Sequence, residues 1–131
     1  MNGKNIDFSK CVIPSIIYAT PEIAWAGKCE QELEEGTYRK SVLPIAVSPK
    51  ATTDDEIDGL IKVLEQNGKI VGAHIISKEA SSLLPIFQYA IENEISYNKL
   101  EELTYAHPTF AEIISESLLN LDNKAINILK Y

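Results

Sequence analysis

The chain has 131 residues, 45% of them hydrophobic and 24% charged, a length and balance that suit one folded domain around a single core and exclude wholesale disorder. Its formal charge of −7, with Arg39 the only arginine, opposes a phosphate backbone and leaves little for forked recognition of base edges, so no nucleic acid partner is expected. Apolar runs such as Ile70 to Ile76 are too short to span a bilayer, and the amino terminus has no apolar secretory stretch; a soluble, intracellular protein with no membrane partner is expected.

Met1 to Asn5 are polar and read as a frayed start. Short β-type runs follow at Val12–Tyr18 and, after Thr20-Pro21, at Ile23–Ala26. Lys28 to Glu35 alternates charged with single apolar residues and ends at Gly36, which predicts a short exposed helix closed by a glycine. Tyr38 to Val47 returns to strand composition, with Pro44 placing it at an edge or bulge.

The sharpest local signal is a hairpin. Gly59–Glu65 and Lys69–Ser77 are β-rich and flank Asn67-Gly68, a pair that tolerates the positive φ of a tight turn. Alternation along the second strand sets Ile70, Gly72, His74 and Ile76 on one face and Val71, Ala73 and Ile75 on the other, so both faces are expected to be largely covered, with Gly72 marking a bulge or close packing.

The period then lengthens. Ala80, Leu83, Leu84, Phe87, Ala90, Ile91 and Ile95 form a helical stripe whose regular part is expected to start near Ser82, keeping Pro85 in the first turn. Ser96–Leu103 suggests a short helix capped by Ser96, and His107-Pro108-Thr109 reads as the start of another, with Ile113, Ile114, Leu118 and Leu121 on its apolar side. Ala125–Tyr131 permits a short strand. The order of elements indicates an α+β fold, an antiparallel β-sheet with helices packed on it, and residues 1–131 as a single domain.

His107 is the residue best suited to chemistry. A histidine at a helix start can exchange protons near neutral pH, and Glu112, about one turn on, can hold one ring nitrogen and leave the other free. The spacing alone leaves open the plainer alternative, that His107 caps a helix and Glu112 is a solvated side chain favoured by the helix dipole. His74 reads as a packed or hydrogen-bonded strand residue. Cys11 and Cys29 form no CxxC pair and are expected to be free thiols without a special role, and the two histidines are too far apart to suggest a metal site. The chain contains no GxGxxG, GxxxxGK[ST] or GxSxG motif, so a self-sufficient nucleotide-dependent enzyme or a hydrolase is not expected.

Several segments taken together resemble one family. Ile13-Pro14-Ser15-Ile16-Ile17-Tyr18, Thr20-Pro21-Glu22-Ile23-Ala24 and Gly27 follow an IPSxxYTxPExAxxG pattern. Ala51 through Asp58-Gly59-Leu60-Ile61-Lys62-Val63, then Val71-Gly72-Ala73-His74-Ile75, and finally Ala106-His107-Pro108-Thr109 with Glu112 continue it in order. Over roughly residues 6 to 121 the chain is similar to the carboxy-terminal dimerisation domain of the flavin-dependent disulfide reductases, and the Pro-Glu-Ile-Ala form of the second motif resembles the dihydrolipoamide dehydrogenase branch. Ala19, Lys50, Ser77 and Ser82 depart from the usual threonine, arginine, glycine and glutamate of that pattern.

The resemblance implies a homodimer about a two-fold axis. It implies that His107 is the acid–base group reaching into the partner subunit's active site, that Glu112 orients it, and that the His107-Pro108 main chain lies beside the partner's FAD. The implied reaction is NAD-dependent oxidation of dihydrolipoamide on the lipoyl domains of 2-oxo acid dehydrogenase complexes, in the cytoplasm or, in a eukaryote, the mitochondrial matrix. The family's FAD and NAD domains and its CxxxxC pair have no counterpart in these residues, so no cofactor is expected on this chain and no redox activity from it alone. A free-standing interaction module that dimerises without chemistry is the alternative.

Overall fold

The computed structural model describes Phe8 and residues 11–127. Five strands, β1 (Ser15–Ile17), β2 (Glu22–Gly27), β3 (Arg39–Pro44), β4 (Leu60–Gln66) and β5 (Lys69–Ser77), make one antiparallel sheet in the order β1-β2-β5-β4-β3. Four helices accompany it: α1 (Pro49–Thr53), α2 (Ala80–Glu92), α3 (Tyr97–Glu101) and α4 (Glu112–Leu121). The expected α+β arrangement, helices on an antiparallel sheet, is therefore the one found.

One face of the sheet carries the core. In register across the strands, Ile16, Ala24, Ile75, Ile61 and Leu43 form one row and Ala26, Ala73, Val63 and Ser41 the next. Helix α2 lies over β2 and β5 and α4 over β3 and β4. α2 faces the sheet with Leu83, Leu84, Phe87 and Ala90, and α4 with Ile113, Ile114, Leu118 and Leu121, all buried, the spacing that puts side chains on one side of a helix.

The hairpin forms as expected, with Asn67 and Gly68 both at positive φ. Its strands do not alternate cleanly, however. Leu64 pairs with Gly72 while Glu65 pairs with Ile70, so Val71 is an extra residue in β5. This bulge reverses the alternation, and Ile70 joins Ala73 and Ile75 in the core instead of sharing a face with Gly72, His74 and Ile76. The second face is not largely covered either: Ile17 and Pro44 are exposed and Ile23, Ile76 and Leu60 only partly buried. The segment following β2 covers one end of it, where Lys28 N–H donates to the Val71 carbonyl at 2.8 Å.

Other expectations shift. In place of a helix over Lys28–Glu35 there is a single 3₁₀ turn, Glu30–Glu32, because so short a segment has little helical stability of its own and Glu30 is drawn to Lys40 and Lys62, both at 2.8 Å. The strand expected to Val47 stops at Pro44 and gives way to a 3₁₀ turn, Ile45–Val47. Helix α2 starts at Ala80, two residues earlier than expected, and so leaves Pro85 in its interior. Ser96 is the N-cap of α3 by backbone position only, with no hydrogen bond from its side chain. Residues 125–127 form no strand, and the remainder of that expected strand, like the frayed start at 1–5, lies outside the described residues.

Helix α1 was not expected, although Ser48-Pro49 is a start signal: Ser48 caps it by accepting from the Ala51 N–H, and proline occupies the first position. Polar side chains add ties between elements. Arg39 Nε lies 2.5 Å from Glu65 Oε2, Nη1 lies 2.7 Å from Asp122 Oδ1, and the guanidinium sits 4.9 Å from the Tyr97 ring centre. On α4, the buried Glu116 accepts from the following segment: from the Ile126 N–H at 2.9 Å, the Asn127 N–H at 3.2 Å and the Asn127 side-chain amide at 3.0 Å.

Candidate functional site

The segment between α3 and α4 brings His107 and Glu112 together. Thr109 Oγ1 donates to the Ala106 carbonyl at 2.8 Å, and Ser48 at the start of α1 donates to the Thr109 carbonyl at 3.5 Å, so the turn is fastened to itself and to a buried serine. Helix α4 begins at Glu112, four residues beyond Pro108, and not at the proline. The Glu112 carboxylate reaches back over that gap: Oε2 accepts from the Thr109 N–H at 2.8 Å and Oε1 lies 2.8 Å from His107 Nδ1.

That geometry fixes the state of the ring. An ionised carboxylate only accepts, so Nδ1 is the donor and in the neutral imidazole Nε2 keeps its lone pair. The His107 side chain is 70% exposed and that of Glu112 only 22%, so the acid is held in the fold and the base is offered outward. Partial burial pushes the Glu112 carboxyl up, but the Thr109 N–H and the His107 ring outweigh it and hold the carboxyl below its ordinary value. Such a pair can accept a proton at Nε2 and stabilise the resulting imidazolium.

Tyr105, two residues before His107, was not singled out by the sequence. Its hydroxyl is buried and without a hydrogen-bond partner among the described residues, and burial pushes its pKa up to about 12. His74 lies in β5, part-buried, with Nε2 3.5 Å from Cys29 Sγ. A cleft of about 380 Å³ bounded by Thr20, Pro21, Glu22, Glu56, Asp58 and Lys78 includes neither His107 nor Glu112. Among the described residues no group of three His, Cys, Asp or Glu is placed to hold a metal ion, and no helix is long and apolar enough to cross a membrane.

Residues 13–118 match the family model for the pyridine nucleotide-disulphide oxidoreductase dimerisation domain. The chain belongs to that family. Dihydrolipoyl dehydrogenase, mitochondrial, from Sus scrofa is 38% identical to it over 132 residues, covering 97% of this chain and 26% of that protein. The enzyme of the same name from Dictyostelium discoideum is 34% identical over 120 residues, covering 88% and 25%. The chain thus spans about a quarter of the length of these relatives. The solved structure of LpdA from Mycobacterium tuberculosis superposes with a TM-score of 0.78 at 23% identity, covering 83% of this chain and 25% of that one. The HOCl-induced flavoprotein disulfide reductase RclA from Escherichia coli superposes at 0.80 and 21%, covering 89% and 28%. At those identities the two structures speak for the fold, which this dimerisation domain shares.

Proposed function

We propose that this dimerisation domain serves a dihydrolipoamide dehydrogenase, pairing two copies about a two-fold axis and presenting His107 of each to the active site of the other. The observation that carries the reading is the division of the Glu112 carboxylate between His107 Nδ1 and the Thr109 N–H, each at 2.8 Å, which orients an exposed imidazole with Nε2 outward. The identity to mitochondrial dihydrolipoyl dehydrogenases supports the choice within the family.

In this reading His107 Nε2 takes a proton from dihydrolipoamide carried on a lipoyl domain of a 2-oxo acid dehydrogenase complex, and Glu112 stabilises the imidazolium until the proton leaves. FAD and NAD, bound by other domains, carry the electrons. The His107 and Pro108 backbone, on the exposed outside of the turn, has the access needed to lie beside the partner subunit's flavin. A domain confined to these residues holds one part of that site and turns nothing over alone. The workplace is an intracellular compartment, the mitochondrial matrix in a eukaryote.

The test is His107→Gln in the complete enzyme. Lipoamide turnover should fall about a hundredfold or more, the scale of a placed acid–base group, while flavin stays bound. Unchanged turnover would remove the catalytic assignment. Sedimentation of the domain should show self-association, and a strictly monomeric species would count against the pairing.

A further inference from the structure

The half-open face of the sheet holds a second pair of reactive groups unrelated to His107. Cys29 Sγ lies 3.5 Å from His74 Nε2, although 45 positions separate the residues. Three features fix the contact. Lys28 N–H donates to the Val71 carbonyl at 2.8 Å, lashing the segment across β5. Gly72 makes room for it, since a Cβ there would lie 2.1 Å from the Lys28 carbonyl oxygen. Cys29 N–H in turn donates to Glu32 Oε2 at 2.7 Å, which closes the 3₁₀ turn.

Among the described residues the His74 ring has no hydrogen-bond partner besides Cys29. Its Nδ1 is buried and has no hydrogen-bond partner among the described residues, an arrangement that is uncommon unless the group has a use. In register it lies between Trp25 of β2 and Lys62 of β4. Burial pushes its pKa below the ordinary value, Lys62 adds to this, and Glu30 and Glu32 oppose it, so at neutral pH the ring is mostly neutral and can accept a proton. Cys29 itself is only part-buried.

We propose that Cys29 and His74 form a thiol–imidazole pair at which a hydroperoxide oxidises Cys29 to a sulfenic acid. The thiol gives its proton to His74 Nε2 as the sulfur attacks the terminal peroxide oxygen. An S–O bond forms and the O–O bond breaks. Sulfur loses two electrons, the peroxide is reduced to water or an alcohol, and His74 returns its proton to the leaving oxygen. The product is the reversible first rung of thiol oxidation, open to capture by a second thiol.

Treating the full chain with hydrogen peroxide in the presence of a sulfenic-acid trap, followed by peptide mass spectrometry, reads the rate at Cys29 separately from Cys11. His74→Asn should slow adduct formation at Cys29 at least about tenfold, the modest end of what a positioned base contributes, with the circular dichroism spectrum unchanged. An unchanged rate overturns the proposal. Should that variant not fold, the unaltered chain decides: Cys29 must react faster in the folded protein than in urea, and a slower folded rate means that the fold merely shelters the thiol.

Discussion

Glu112 holds His107 from five residues ahead in the chain, its Oε1 2.8 Å from the ring Nδ1, while its other oxygen is anchored on the Thr109 N–H. The anchor matters as much as the contact. A carboxylate fixed at one oxygen cannot swing with the ring, so the imidazole is aimed as well as held.

This relationship is visible without any turnover. Nitrogen NMR of His107 in the neutral state should report the tautomer protonated at Nδ1, and Glu112→Ala should return the ring to a mixture. In the complete enzyme Glu112→Gln should lower turnover by roughly tenfold or more, part of what a general acid–base group supplies. A wild-type ring protonated mainly at Nε2 would contradict the orientation described.

Acid should loosen the domain through Glu30. Hydrogen bonds from Lys40 and Lys62 hold its carboxyl well below the usual range, at about 2, against an ordinary 4.5. Because the folded value lies below the unfolded one, the stability it confers is complete above about 4.5 and is lost as pH falls toward 2. Thermal melts across that window should show a falling midpoint in the wild type and a shallower fall in Glu30→Gln. Parallel curves would mean that the carboxylate contributes nothing.

Two glycines should respond differently to a methyl group. At Gly68 the φ of +80° makes any side chain strained but nothing lies within 4 Å, so Gly68→Ala should cost about 1 kcal/mol. At Gly72 the new carbon meets the Lys28 carbonyl, a backbone atom with no easy retreat, and Gly72→Ala should cost about 3 kcal/mol. Urea unfolding gives both, and equal losses would show that the Lys28 segment yields.

Replacing Pro85 should strengthen α2. A proline inside a helix lacks the N–H that would reach the Ser81 carbonyl. Pro85→Ala restores that donor and should raise stability by about 1–2 kcal/mol after allowing for the chain entropy that proline restricts. A loss of stability would show that the ring's own packing outweighs the missing bond.

What could be seen in the sequence was what adjacent residues decide. Asn67-Gly68 announces the hairpin because one turn requires both residues, and the HPTxxE stretch places His107 and Glu112 within a single turn and its helix. The bulge at Val71 was marked only by its neighbour Gly72, which signalled a bulge or close packing but not which side chains would change face. It follows from how β4 meets β5, and it moved Ile70 to the face opposite the one that strict alternation assigns. The Arg39 tie to Glu65 and Asp122 spans 26 and 83 positions, and the Cys29–His74 contact spans 45. Nothing local encodes those partners, and for His74 the sequence supported a satisfied strand residue without saying what would face it. Helix starts moved away from what proline spacing indicates: α4 begins at Glu112, whose side chain reaches back to the Thr109 N–H, and α2 begins at the fully buried Ala80.

Glu112 and Glu116 stand one turn apart on α4, one gripping the histidine turn and the other the Ile126–Asn127 backbone. The helix is therefore held at its first residue and again at mid-length. A protease that trimmed the residues after Leu121 would strip three donors from the buried Glu116 carboxylate, and the slackness would have a single turn of helix to cross to reach Glu112 and the aim of His107. Damage to the tail would then read out as a poorly directed imidazole, with the histidine itself untouched.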